Sequence, residues 1–107
     1  MRLTPRFLQQ ACRITFYTRS TCSLCTTAKG VLESLQTKSP FYLIEKDVDM
    51  AHHKKWKDIY DFDVPVIHVE KSSAAEDGNP SADQKLMHRF TEDQVSSLME
   101  KVLASSR

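Results

Sequence analysis

The sequence predicts an α/β fold in which a four-stranded mixed sheet is flanked by three helices, in the order βαβαββα. Three observations carry this expectation. The hydrophobic period changes from strand-like to helix-like as the chain passes from residues 13–18 into 23–37. A second strand-like run at 41–48 completes a strand–helix–strand unit, which implies parallel strands joined by a right-handed crossover. Two later runs, at 66–70 and 85–90, are joined without a helix and imply an antiparallel hairpin on the same sheet.

Residues 13–18 (Arg-Ile-Thr-Phe-Tyr-Thr) are β-branched and aromatic and read as the first strand. Leu24, Ala28, Val31, Leu32 and Leu35 then fall on one helical face, and Ser39-Pro40 stops that helix. Gly30 inside it costs about 1 kcal/mol relative to Ala, which predicts close packing there. After the second strand, Asp49 is placed to cap a helix over residues 50–60, with Trp56, Ile59 and Tyr60 as its apolar face. Tyr60 also lies close to Asp63-Val64-Pro65, through which the third strand is entered. The polar stretch 71–84, with Ser-Ser, Asp-Gly and Asn-Pro, reads as loop. Thr91 opens a capping box with Gln94, and Val95, Leu98, Met99, Val102 and Leu103 mark the clearest amphipathic helix.

A chain of 107 residues, 40% hydrophobic and 27% charged, suffices for one domain with a modest core and leaves no room for a second. A formal net charge of +1, with no basic–aromatic patch, provides no general attraction to nucleic acid. The longest uninterrupted apolar run, residues 41–44, is far short of a membrane span. Three cysteines, an odd number in a small chain, fit a reducing compartment better than a secreted disulfide framework. Arg2, Arg6, Arg13, Arg19 and Lys29 all precede the first acid, Glu33. An Arg-rich, acid-poor start has the composition of a mitochondrial transit segment, and a short basic tail over 1–12 is the plainer alternative. The expected location is therefore cytoplasmic or mitochondrial.

The chemistry gathers at the end of the first strand, where Cys22 and Cys25 stand two residues apart at the start of a helix. Helix N-terminal N–H groups and the helix dipole stabilise a thiolate at Cys22, and Arg19 adds positive charge. Such a thiolate attacks a disulfide, and Cys25, one turn along, then displaces the product. Zinc is the competing reading of the pair, and it needs two further N or S ligands. Cys12, His52, His53, His68 and His88 are present, but none forms a second spaced pair, so no metal is expected. His52-His53 read as solvated helix surface and His68 as structural. Cys12, just ahead of the first strand, reads as incidental, with a regulatory thiol as the alternative.

A Cys-x-x-Cys after the first strand and a Val-Pro before the third, in a βαβαββα chain of this length, resemble the thioredoxin fold. Within it, the short N-terminus and early first strand are similar to those of glutaredoxins. The resemblance covers about residues 13–103 and makes 13–107 a glutaredoxin-like domain behind the tail at 1–12. It implies that Cys22 is the catalytic nucleophile and Cys25 the resolving cysteine. It implies that Arg19 attracts a glutathione carboxylate. It also implies that Val64 and Pro65 line the substrate or glutathione site, with a cis peptide between them and backbone that pairs with the ligand. Here the family's Cys-Pro-Tyr-Cys is Cys22-Ser23-Leu24-Cys25. The family's Gly-Gly turn, which receives the other end of glutathione, is replaced by Arg89-Phe90-Thr91-Glu92-Asp93, and this predicts two acids where an anion would sit.

The function so implied is a glutaredoxin-like thiol–disulfide oxidoreductase. It would be a monomer with no tightly bound cofactor, acting on protein or small-molecule disulfides, with glutathione open as a co-substrate. Two alternatives stay open at this point. One is a glutathione-assisted iron–sulfur cluster or metal-binding module. The other is a non-enzymatic adaptor that holds a partner peptide in the groove around Pro65. Neither nucleic acid nor a membrane is an expected partner.

Overall fold

The computed structural model describes residues 12–75 and 78–104. The expected tail or targeting segment, Cys12 apart, lies outside the described residues. The chain runs β1 (Cys12–Thr18), α1 (Ser23–Lys38), β2 (Tyr42–Asp47), a 3-10 turn (Ala51–His53), α2 (Lys54–Tyr60) and β3 (Val66–Lys71). A second 3-10 turn (Ala82–Gln84), β4 (Lys85–Met87) and α3 (Glu92–Ala104) complete it. The sheet order is β2-β1-β3-β4. β1 pairs parallel with β2 and antiparallel with β3, and β3 pairs antiparallel with β4. The expected mixed sheet with three helices is the one observed. Among the described residues, no helix is long and apolar enough to cross a membrane.

The strand pleat sorts the core into two faces. Across β1 and β3, Ile14 faces Val69 and Phe16 faces Ile67, and all four are buried. On this side α3 lies against β3 and β1 and packs on α1. The other face carries Arg13, Thr15, Tyr17, His68 and Glu70, all buried. α2 covers it with Trp56 and Tyr60, whose ring centroids lie 4.8 and 5.3 Å from that of Tyr17.

Several local expectations need correction. Ile59 is 43% exposed rather than part of the apolar face. Trp56 and Tyr60, four residues apart, define the buried stripe, and Ile59 turns about 100° away from Tyr60. Asp49 does not cap the helix: the 3-10 turn starts from Met50 with no side-chain cap, and the Asp49 carboxylate is turned elsewhere. Gly30 meets no close neighbour, since a Cβ added there would find nothing within 4 Å. β4 ends at Met87 rather than Phe90 because His88 adopts φ 66°, a left-handed conformation that breaks the extended run at a cost of about 1–2 kcal/mol. The capping box does form: Gln94 N–H donates to Thr91 Oγ1 at 3.1 Å, and Thr91 N–H donates to Gln94 Oε1 at 2.9 Å.

Arg13 is not part of a basic surface. It is buried and donates to the carbonyls of Ser72, Ala74 and Ala75 at 3.3, 2.9 and 3.0 Å. It also reaches Glu70 Oε1, its cross-strand neighbour, at 3.4 Å. The first part of the loop after β3 is thus wrapped around one guanidinium.

Candidate functional site

The turn out of β1 closes with Cys22 N–H donating to the Arg19 carbonyl at 3.3 Å. Cys22 is the N-cap of α1, in extended backbone conformation, and its Sγ accepts the Cys25 backbone N–H at 3.1 Å. A helix start leaves N–H groups without intrahelical partners. Here sulfur takes one of them, as a Ser or Asp oxygen does at other N-caps. No acidic residue stands in the first turn of this 16-residue helix, so the positive end of its dipole meets the sulfur unopposed. Cys22 is partly exposed and Cys25 is buried, both as free thiols. Burial pushes the Cys25 thiol up and its contact with Cys22 adds to the rise, while the Thr18 hydroxyl and the Arg19 backbone pull the other way. A partly exposed sulfur that accepts a backbone N–H therefore precedes a buried one whose neutral thiol is favoured.

Arg19 lies at this turn, and its charge is matched within the protein. Its Nε donates to Asp49 Oδ2 at 2.8 Å and its Nη2 to Asp49 Oδ1 at 3.2 Å. Asp61 receives Nη2 on its carboxylate at 2.5 Å and Nη1 on its backbone carbonyl at 3.0 Å. Lys57 Nζ donates to the same two carboxylates at 2.9 and 3.2 Å. Arg19 first and Lys57 second hold the Asp49 carboxyl down to about 2 and depress that of Asp61. The guanidinium thereby ties together the turn before Cys22, the turn after β2 and the loop between α2 and β3. Asp49, Asp61 and Lys57 were not expected at this site.

Val64 and Pro65 are joined by a cis peptide bond, as the resemblance implied. The Pro65 carbonyl accepts the His88 N–H at 2.7 Å. The N–H groups of Asp63 and Val64 both donate to the Tyr60 carbonyl, at 2.9 and 3.3 Å. Tyr60 in turn is held by His68, whose Nε2 lies 2.6 Å from the Tyr60 hydroxyl and whose Nδ1 lies 3.4 Å from that of Tyr17. Burial, with Lys85 and Lys46 adding to it, lowers the His68 pKa to about 4 and keeps the ring neutral. His88 Nε2 stands 3.4 Å from Asp63 Oδ1 at the rim of the loop.

Two other sequence candidates fall elsewhere. Glu92 pairs with Lys38 at 2.8 Å and is hydrogen-bonded by Ser34, both late in α1. The 16 residues of α1 span about 24 Å at 1.5 Å per residue, so this carboxylate stands at the far end of the helix from Cys22. Glu92, one of the two acids of the replaced Gly-Gly turn, does not face the dithiol. Cys12 is inside β1 and 1% exposed, and burial pushes its thiol up to about 11. It is a core residue remote from thiolate chemistry.

Residues 13–100 match the family described as Glutaredoxin-like domain (DUF836). Solved structures of similar shape include a mutant thioredoxin from Halobacterium salinarum NRC-1. It is 16% identical with a TM-score of 0.65, over 94% of this chain and 82% of that one. Thioredoxin O2 from Arabidopsis thaliana in the oxidized state is 16% identical with a TM-score of 0.61, over 87% and 76%. Oxidised thioredoxin from Plasmodium falciparum is 17% identical with a TM-score of 0.58, over 91% and 86%. At these identities the likeness is one of fold. The matched segment includes both the Cys22–Cys25 helix start and the Val64–Pro65 loop, and the chain belongs to the glutaredoxin-like domain family, built on the thioredoxin fold.

Proposed function

We propose that the chain is a thiol–disulfide oxidoreductase of the glutaredoxin-like class, with Cys22 as nucleophile and Cys25 as resolving cysteine. The observation that carries this reading is the Cys25 N–H on Cys22 Sγ at 3.1 Å. That contact gives a developing thiolate a donor in place before any substrate arrives. Cys22 S⁻ attacks one sulfur of a disulfide, a Cys22 mixed disulfide forms, and the first substrate thiolate leaves. Cys25 then loses its proton and attacks Cys22 Sγ, so that the second thiolate leaves and an intramolecular disulfide remains. The substrate gains two electrons and two protons, and an external thiol or dithiol later restores the protein. Val64 and Pro65 form the opposite wall. Arg19 acts by holding that wall against the cysteine turn, since its charge is engaged by Asp49 and Asp61.

A single-turnover assay tests this. Reduced protein, freed of reductant, is mixed with bis(2-hydroxyethyl) disulfide, and released thiol is counted. About two thiols per chain should appear as two protein thiols vanish, and Cys22→Ser should release none. Release undiminished in Cys22→Ser, or a wild type that reacts with neither this nor a peptide disulfide, contradicts the reading.

A further inference from the structure

We propose that the disulfide taken by this site is carried on a polypeptide segment with an apolar and a basic residue beside its cysteine, docked on the α2–β3 loop by Phe62 and Asp63. This rests on the dithiol reading above and names its substrate class. Phe62 is 92% exposed, against 50% for Met50 and 48% for Tyr42. Single exposed apolar residues are ordinary, and it is the setting of this one that matters. Its neighbour Asp61 is fixed by Arg19 on both carboxylate and carbonyl, and Asp63 N–H is bonded to Tyr60. The ring is therefore held out on a fastened loop rather than left over on a loose one.

The loop adjoins the dithiol. The Arg19 side chain that grips Asp61 belongs to the residue whose carbonyl accepts the Cys22 N–H, and Val64–Pro65 follow Asp63 directly. Under Phe62 lies a shallow cleft of about 260 Å³ lined by Lys57, Asp58, Ile59, Asp61, Phe62 and Asp63. It offers two apolar side chains and three carboxylates, of which Asp61 is bound by Arg19 and Lys57 and Asp58 by Lys54, while Asp63 faces the His88 imidazole at 3.4 Å. A partner with an apolar side chain for Phe62 and Ile59 and a cation for the Asp63 carboxylate complements that lining. Glutathione, with two carboxylates and one ammonium, does not, and the cation expected to receive it is already matched by Asp49 and Asp61. Arg89, exposed on the turn after β4, is the one other cation to be tested as an anion receptor. Turnover reduces the peptide disulfide to two thiols and oxidises Cys22 and Cys25 to a disulfide, so a single turnover needs no further reductant.

The test measures second-order rate constants for reduced protein with four probes. These are a disulfide-linked peptide with Leu and Lys beside its cysteine, the same peptide with Glu for Lys, oxidised glutathione, and neutral bis(2-hydroxyethyl) disulfide. Each rate is divided by that of the same disulfide with dithiothreitol, which removes intrinsic reactivity. The Lys peptide should react about tenfold faster than the Glu peptide and oxidised glutathione, with the gap narrowing as salt rises. Phe62→Ser should slow the Lys peptide severalfold, and Asp63→Lys should close the gap between the two peptides. Both positions are at the surface, so neither change disturbs the core. Oxidised glutathione reacting as fast as the Lys peptide overturns the proposal, and loss of that rate in Arg89→Gln would identify the anion receptor instead. A peptide preference unmoved by Asp63→Lys overturns it as well. Reaction with the neutral disulfide alone defeats the substrate assignment and leaves the dithiol reading standing, whereas no reaction with any probe defeats both.

Discussion

His68 offers the sharpest perturbation outside the cysteine pair. Its ring is fully buried between Tyr17 of β1 and Tyr60 of α2, with the Trp56 ring centroid 5.5 Å away and Lys46 and Lys85 facing it. A neutral imidazole has one donor and one acceptor, and the two tyrosine hydroxyls at 2.6 and 3.4 Å engage both nitrogens. Protonation would make both nitrogens donors and place a cation near two lysines in a fully buried site. Burial accordingly moves its pKa from 6.5 down to about 4. The unfolded chain binds the proton more readily, so this contribution to stability is fully present above pH 6.5. It is lost as pH falls toward 4, and a shift of this size corresponds to roughly 3 kcal/mol. The assay is urea unfolding of the wild type and His68→Gln at steps from pH 7.5 to 4.5. Glutamine does not titrate, and carboxylates that titrate in both proteins cancel in the difference. The stability gap between the two should shrink by most of that amount over the range. A gap that stays constant from pH 7.5 to 4.5 would refute the reasoning. Because Tyr60 carries the Asp63 and Val64 N–H groups, acid should also loosen the loop between α2 and β3 before the sheet unfolds.

Other outcomes follow from single contacts. Gly30→Ala should stabilise the protein by about 1 kcal/mol, read as a raised urea midpoint at unchanged slope, because a Cβ meets nothing there and the helix gains propensity. Arg13→Met should cost about 3 kcal/mol or more in thermal or urea unfolding, because it leaves buried Glu70 without its partner. Adding Glu70→Gln to that variant should recover part of the loss. Thr91→Ala should cost about 1 kcal/mol by the same measurement through loss of the Gln94 N–H acceptor.

The element order was readable because each change of hydrophobic period falls beside a turn or cap. Residues 13–18 alternate and 23–37 do not, and Thr91 with Gln94 form a cap within one turn. Cys22 and Cys25 carry their own context for the same reason, since four residues and a helix start suffice to place them. What escaped depended on contacts distant in sequence. Arg19 meets Asp49 across 30 residues and Asp61 across 42, and Asp49 satisfied that pairing rather than the cap its sequence position suggested. Arg13 looked like one of several N-terminal cations until β1 and β3 brought it beside Glu70 and under the carbonyls of residues 72–75. Glu92 looked like a rim residue of the site, and the inclination of α3 against the last turns of α1 sets it beside Lys38. Phe62 carried no sequence signal, since a single apolar residue in a turn has no period.

The central claim is that Cys22 attacks and Cys25 resolves, and trapping the intermediate tests it most directly. Reduced Cys25→Ser protein is exposed to a peptide disulfide, quenched in acid, and examined by intact mass and peptide mapping. The account predicts one peptide adduct per chain, on Cys22, that persists because no resolving thiol is present. In the wild type the same adduct should give way to a Cys22–Cys25 disulfide. An adduct on Cys12, or Cys25→Ser protein that remains fully reduced, would contradict the account.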